Sequence, residues 1–183
     1  MSIELFTSRL AVRSIQKAHI AEVFAYRQDG EMNAYQGWIP ETMQAAEEFL
    51  IEGTCAEVNI PDTWHQLVIL EKASKKVIGD VGMHFIADSD NVEIGCTLHK
   101  QFQGMGYANE ALKAVVNYVF SDLNKNKIKG SVDPRNLSSI SMLEKLGFKK
   151  EAHVKDAFLL RGEYVDDVIY GLLQKEWMST STK

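Results

Sequence analysis

The sequence predicts a mixed α/β (α+β) fold: one mostly antiparallel sheet with helices on both faces. Three observations carry this. The hydrophobic period changes from about 3.6 to 2 near residue 63, so early helices give way to strands. Three strands then follow one another through short turns, as in an antiparallel meander. After them the turn Gln101-Phe102-Gln103-Gly104-Met105-Gly106-Tyr107-Ala108 opens a well-marked amphipathic helix.

Taken in order, Leu5 to Arg13 reads as a first strand. Gln16 to Asp29 carries Ile20, Val23, Phe24 and Arg27 at helical spacing, and Gly30 supplies a stop. An aromatic loop follows, Asn33 to Pro40, whose proline can open the next helix. Met43, Ala46, Phe49 and Leu50 space that helix from Glu41 to about Cys55. Thr63 to Glu71, Val77 to Ala87 and Val92 to Leu98 are the meander. Ala108, Ala111, Leu112, Val115, Val116, Val119 and Phe120 then recur at three and four. Lys127 to Asp133 is a short strand that Pro134 breaks. Ser138 to Leu146 is a helix stopped by Gly147. Phe148 to Leu160 and Tyr164 to Leu173 form a last hairpin about Arg161-Gly162-Glu163. With no repeat or linker, residues 1–178 are expected to form a single domain, and the polar residues 179–183 a disordered tail.

Composition bounds the function. The 183 residues are 45% hydrophobic and 25% charged, with a net charge of −5. That balance argues against a nucleic-acid partner, which needs clustered Lys and Arg. No apolar run reaches the roughly 20 residues of a membrane helix. Cys55 and Cys96 form no disulfide framework, and Met1-Ser2-Ile3-Glu4-Leu5 has an acid where a signal peptide carries bases. A cytoplasmic protein with no membrane partner is the expectation. His19, His65, His84, His99 and His153 make no metal-ligand spacing, so no metal is expected.

The glycine turn is the chemical signal. Two glycines at a helix start leave backbone N–H groups bare at the positive end of the helix dipole, which suits a phosphate. A P-loop needs Lys and Ser or Thr after the second glycine, and Tyr107 and Ala108 stand there. A dinucleotide fingerprint needs a third glycine where Asn109 stands, after a parallel strand.

Gln101-x-x-Gly104-x-Gly106 resembles the cofactor signature of the GNAT acetyltransferases. Asn136-x-x-Ser139 and Glu144-Lys145-Leu146-Gly147-Phe148 resemble that family's second cofactor segment. Thr7 to Arg13 and the stretch from Gly162 to Leu173 are similar to the RimJ/RimL-like N-acetyltransferase branch, so the resemblance spans nearly the whole chain. It implies a GNAT-like sheet and acetyl-CoA as acyl donor. Backbone N–H groups from Gln103, Gly104, Met105, Gly106, Tyr107 and Ala108 would bind the pyrophosphate. The strand at Cys96, Thr97 and Leu98 would splay from its neighbour to admit pantetheine and offer an oxyanion donor. Asn136, Ser139 and Lys145 would complete the cofactor site. Tyr35 and Trp38 would line the acceptor pocket with Glu93, while Trp64 is assigned to the core. A homodimer is common in the branch and is an expectation on that ground.

The catalytic groups keep two readings each. Ser139 is placed to donate to the leaving sulfur, or it caps a helix. Asn136 caps that helix, holds pantetheine, or does both. Glu93 is a general base or a solvent-facing strand residue. Gly95 marks a bulge or a packing glycine. Cys96 is read as a core cysteine, since direct transfer needs no thiol nucleophile. Two departures from the family stand out: Leu143 where many members carry a tyrosine acid, and Phe158 where RimL-like members carry a glutamate. A peptide α-amine, with pKa about 7.7–8.0, is neutral far more often at pH 7 than a lysine-like amine near 10.4. The expected reaction is therefore acetyl transfer, directly within a ternary complex, to a protein or peptide N-terminal amine or a small-molecule α-amine. The alternatives are a polyamine or antibiotic acetyltransferase, or a non-catalytic acyl-CoA-binding module.

Overall fold

The computed structural model describes residues 2–181. The strands are β1 (Glu4–Phe6), β2 (Leu10–Ser14), β3 (Thr63–Glu71), β4 (Val77–Phe85), β5 (Asn91–Leu98), β6 (Lys127–Val132), β7 (Lys149–Leu160) and β8 (Glu163–Leu173). They form one sheet in the order β1-β2-β3-β4-β5-β6-β8-β7. Every pairing is antiparallel except that of β5 with β6. The helices are α1 (Ile20–Arg27), α2 (Met43–Glu47), α3 (Tyr107–Asn117), α4 (Leu137–Lys145) and α5 (Gln174–Ser181).

The sheet is covered on both faces. Ala111, Leu112, Val115 and Val116 of α3 are buried with Leu143 of α4 and Trp177 of α5 against Ile69, Val81, Ile94 and Ile128. Each fully buried aliphatic side chain contributes about 1.5–3 kcal/mol, so this layer fixes α3 on the sheet. On the other face, Ile20, Val23 and Tyr26 of α1 and Ala46 of α2 pack on Val68 and Val77.

Several expectations are corrected. The single strand over residues 5–13 is a hairpin, because Thr7 turns the chain by bonding to Leu10. Pro40 does not open α2; Thr42 caps it, its hydroxyl accepting from Ala45 N–H at 3.1 Å. The end of α1 is held by Asn33 rather than Gly30: its amide donates to the Tyr26, Arg27 and Asp29 carbonyls at 2.9, 3.2 and 2.8 Å. The tail expected from Ser179 continues as α5 to Ser181, and residues 182–183 lie outside the described residues. Gly147 ends α4 as expected. At φ +91° it lets its own N–H reach Glu144 and that of Phe148 reach Leu143, a Schellman stop.

Candidate active site

The site begins where β5 and β6 part. Their parallel pairing covers only Asn91 to Glu93 against Lys127 to Lys129. Beyond it, Ile94–Leu98 keeps β4 on one side and has an open edge on the other. A cleft of about 410 Å³ starts there and runs to the glycine loop.

Gly104 and Gly106 adopt φ of +75° and +80°, which side-chain-bearing residues avoid. This left-handed geometry turns the chain into α3 without a side-chain cap. The first helical donor is Glu110, bonded to the Gly106 carbonyl at 3.0 Å. Among the described residues, the N–H groups from Gly104 to Asn109 have no partner within the chain, which leaves an anion cradle at the positive helix end. Gln103 differs from expectation. Its N–H closes a turn onto Lys100 at 3.2 Å, and its side-chain amide donates to the Leu98 carbonyl at 2.9 Å. It braces the loop against β5 instead of offering its backbone donor.

A buried-edge carboxylate anchors the cradle. Glu110 accepts from the Thr7 hydroxyl at 2.5 Å, Arg9 N–H at 2.9 Å, Ser8 hydroxyl at 3.0 Å and the Arg9 guanidinium at 2.7 Å. Burial alone would raise its pKa; these donors outweigh that and hold it at about 2. Arg9 also donates to the Met105 carbonyl at 3.0 Å and lies over the Tyr107 ring.

Gly104, Gly106, Tyr107 and Ala108 line the cleft with Cys96, Thr97, Leu98, Gln103, Asn136, Ser139 and Lys145. Met105 keeps an unpartnered N–H in the cradle, while the residue as a whole is 56% exposed and stands outside the lining. The residues fit coenzyme A. The cradle suits pyrophosphate, and the Thr97 hydroxyl is buried in the cleft wall with no hydrogen-bond partner. An orphaned hydroxyl of that kind suits an amide of pantetheine.

A second cavity of about 390 Å³ adjoins the first. The two share Tyr35, Gln36, Cys96, Asn136, Ser139 and Met142. Ser139 therefore stands at the junction. Its helix-capping reading is removed, because Asn136 caps α4: the Asn136 side-chain Oδ1 accepts from Ser139 N–H at 3.1 Å and the Ser138 hydroxyl at 2.9 Å. The Ser139 hydroxyl is left to the cavities.

Glu93, Trp64, Gly95, Leu143 and Phe158 line the second cavity. Glu93 sits between His84 of β4 and Lys129 of β6. Burial pushes its pKa up, Asp167 adds to this, and His84 and Lys129 oppose it. Gly95 is neither a bulge nor a packing glycine. It pairs in unbroken register with Gly82, and a Cβ on it would meet no atom within 4 Å. Its missing side chain is part of the cavity. Trp64, assigned to the core, is 38% exposed and lines this wall. Trp38, expected here, instead stacks on Phe49 at 4.0 Å and lines neither cavity. Cys96 holds its proton: burial, reinforced by Asp80, pushes its thiol up to about 12, against Arg27. Among the described residues no group of His, Cys, Asp or Glu is arranged to hold a metal, and no helix is long and apolar enough to cross a membrane.

Sequence reading missed three contributors. Arg161 of the last hairpin binds the carbonyls of Asn33 and Ala34, fixing the loop that carries Tyr35 and Gln36. Ser131 and Asp133 enter the cavity from β6 and its end. Their types carry no motif; only the splay of β5 from β6 exposes them.

An anion cradle feeding a cleft that meets an acid-bearing pocket is the layout of a two-substrate transferase. The family model described as acetyltransferase (GNAT) domain matches residues 9–149. The chain belongs to that family of N-acetyltransferases. It is 30% identical over 175 residues to the uncharacterized N-acetyltransferase p20 of Bacillus licheniformis, covering 94% of this chain and 97% of that one. It is 24% identical to a spermidine N(1)-acetyltransferase of Vibrio cholerae, covering 95% and 98%. It is 32% identical to the ribosomal protein uS5-alanine N-acetyltransferase of Escherichia coli, over 46% and 43% of the two chains. A GNAT-family acetyltransferase structure from Bacillus anthracis superposes with a TM-score of 0.84 at 20% identity, covering 94% and 99%.

Proposed function

We propose that this chain transfers the acetyl group of acetyl-CoA directly to a primary amine, bound with the donor in one ternary complex. The observation that supports this best is the meeting of the two cavities at Ser139. One holds the uncapped start of α3, the other Glu93.

Acetyl-CoA supplies the activated thioester. The residues of the chain supply position and proton handling. The loop from Gly104 to Ala108, Thr97 and Lys145 hold the donor, and the open edge of β5 offers N–H groups to the developing oxyanion. Glu93 takes the proton that the ammonium must lose before it attacks, and its raised pKa makes it a stronger base than an exposed carboxylate. A bond from the amine nitrogen to the acetyl carbon replaces the carbon–sulfur bond. Ser139 donates its O–H hydrogen bond to the departing thiolate, in place of the tyrosine that Leu143 replaces, and the thiolate takes the second proton of the attacking nitrogen and leaves as free thiol.

The relatives act on different amines, spermidine in one and a ribosomal-protein alanine in another, so kinship leaves the acceptor open. The order of candidate acceptors, α-amines first and polyamines second, is tested by mass spectrometry of an amine and peptide panel with acetyl-CoA. Gain of one acetyl group with matching thiol release is expected. Tight coenzyme A binding without turnover on any amine would favour a non-catalytic acyl-CoA-binding module.

A further inference from the structure

We propose that the acceptor carries a single ammonium on an uncharged, apolar or aromatic body. This rests on the acetyl-transfer reading and narrows the amine.

The second cavity counts charges. Among the described residues two carboxylates line it, Glu93 and Asp133. Asp133 has a fully buried side chain and is already gripped by Arg135, through Nε to Oδ1 at 2.9 Å and Nη2 to Oδ2 at 2.6 Å. That leaves Glu93 as the one lining carboxylate without such a partner. A first ammonium finds its counter-charge there. A second, as in a polyamine, would be taken out of water with no free acid to receive it. Among the described residues no Lys or Arg lines this cavity, so a substrate carboxylate or phosphate would be equally unpaired. Free amino acids and phosphorylated amines are disfavoured on the same ground.

The walls favour an apolar body. Trp64, Ile94, Val132, Leu143 and Phe158 supply them. The Trp64 ring stacks on His84 at 5.0 Å and 14°. It has room to lie over β4 because residue 82 is glycine; a Cβ there would come within 3.0 Å of the ring. The flat indole thus stands in the same cavity as the space left by Gly95. An aromatic wall also favours a nearby cation through the negative face of its ring. Two sources share this chemistry: an arylalkylamine, and a peptide whose first residue is large and apolar, since its α-amine sits on neutral amides.

The test measures kcat/KM by thiol release from acetyl-CoA with four amines: phenethylamine, a phenylalanine-initiated peptide amide, free phenylalanine and spermidine. The better of the first two is expected to exceed both others by about thirty-fold or more, which is roughly 2 kcal/mol. Which of the two leads identifies the source. Spermidine or free phenylalanine leading would overturn the narrowing while leaving acetyl transfer intact. No turnover with any of the four overturns the narrowing, and acetyl transfer falls with it only if the wider amine and peptide panel also releases no thiol. Gly95→Val places the site. It adds a side chain where nothing stands within 4 Å, in a strand that tolerates valine. The KM for the preferred amine should rise about ten-fold with coenzyme A affinity and melting temperature unchanged. An unchanged KM would show that the amine binds elsewhere.

Discussion

Arg161 at the tip of the last hairpin donates to the main-chain carbonyl of Asn33 at 2.8 Å, across 128 positions of sequence. A second guanidinium nitrogen reaches the Ala34 carbonyl at 2.8 Å. Arg161 and Gly162 take φ of +50° and +87°, as a two-residue type I′ turn requires, which sends the Arg161 side chain to the loop. Tyr35 and Gln36, held by this clamp, line both cavities.

Removing the clamp should loosen the acceptor side more than the donor side, where the glycine loop still holds the cofactor. Arg161→Ala is expected to raise the amine KM about five- to twenty-fold, the effect of losing two hydrogen bonds of about 0.5–1.5 kcal/mol each. Coenzyme A affinity should stay within two-fold or so, and Arg161→Lys should restore part of the loss. Steady-state kinetics with calorimetric coenzyme A binding separate these. A kcat loss with unchanged KM would contradict a positioning role.

Ser139 and Asn136 should separate chemistry from stability. Ser139→Ala is expected to lower kcat by about 10- to 100-fold while the denaturation midpoint holds, because its side chain caps nothing. Asn136→Ala should destabilise by about 1 kcal/mol through loss of the α4 cap. Equal loss of stability in both variants would return Ser139 to a structural role.

Glu93 should set the acid limb of activity. Its carboxyl titrates above the ordinary 4.5, mainly through burial, so kcat/KM should fall as pH drops through that raised value. Glu93→Gln is expected to lose this limb and about 100-fold in rate, leaving the limb of the amine. A buried carboxylate with a raised pKa weakens the fold once ionised, so the variant should melt no lower at pH 7. An unchanged pH profile would exclude Glu93 as the base.

Glu110 works in the opposite direction. Its folded pKa is lowered from 4.5 to about 2, so the stability it contributes is complete above pH 4.5 and lost as pH falls toward 2. Acid unfolding in that window should be shallower in Glu110→Gln, which starts less stable at neutral pH. Coenzyme A affinity should also drop, since Arg9 and Met105 lose their anchor.

By itself the sequence determined the local geometry. Gly104 and Gly106 encode positive φ at a helix start, Arg161-Gly162 encodes the hairpin, Gly147 encodes a helix stop, and the period of α3 encodes its buried face. Each follows from sterics or burial within a few residues, and the glycine turn with α3 marked the donor half of the site. Tertiary structure decided what fills the other half. Trp38 and Trp64 are equally aromatic in sequence, yet the stack on Phe49 withdraws one while Gly82 lets the other line the cavity. Gly95 reads as a bulge until its register with Gly82 shows an intact strand beside open space. The Gln103 N–H looked available until Lys100 claimed it. Cavity membership depends on how far β5 splays from β6 and where a distant hairpin pins a loop. Residue periodicity records which face is buried, and it carries no information on those long-range angles and contacts.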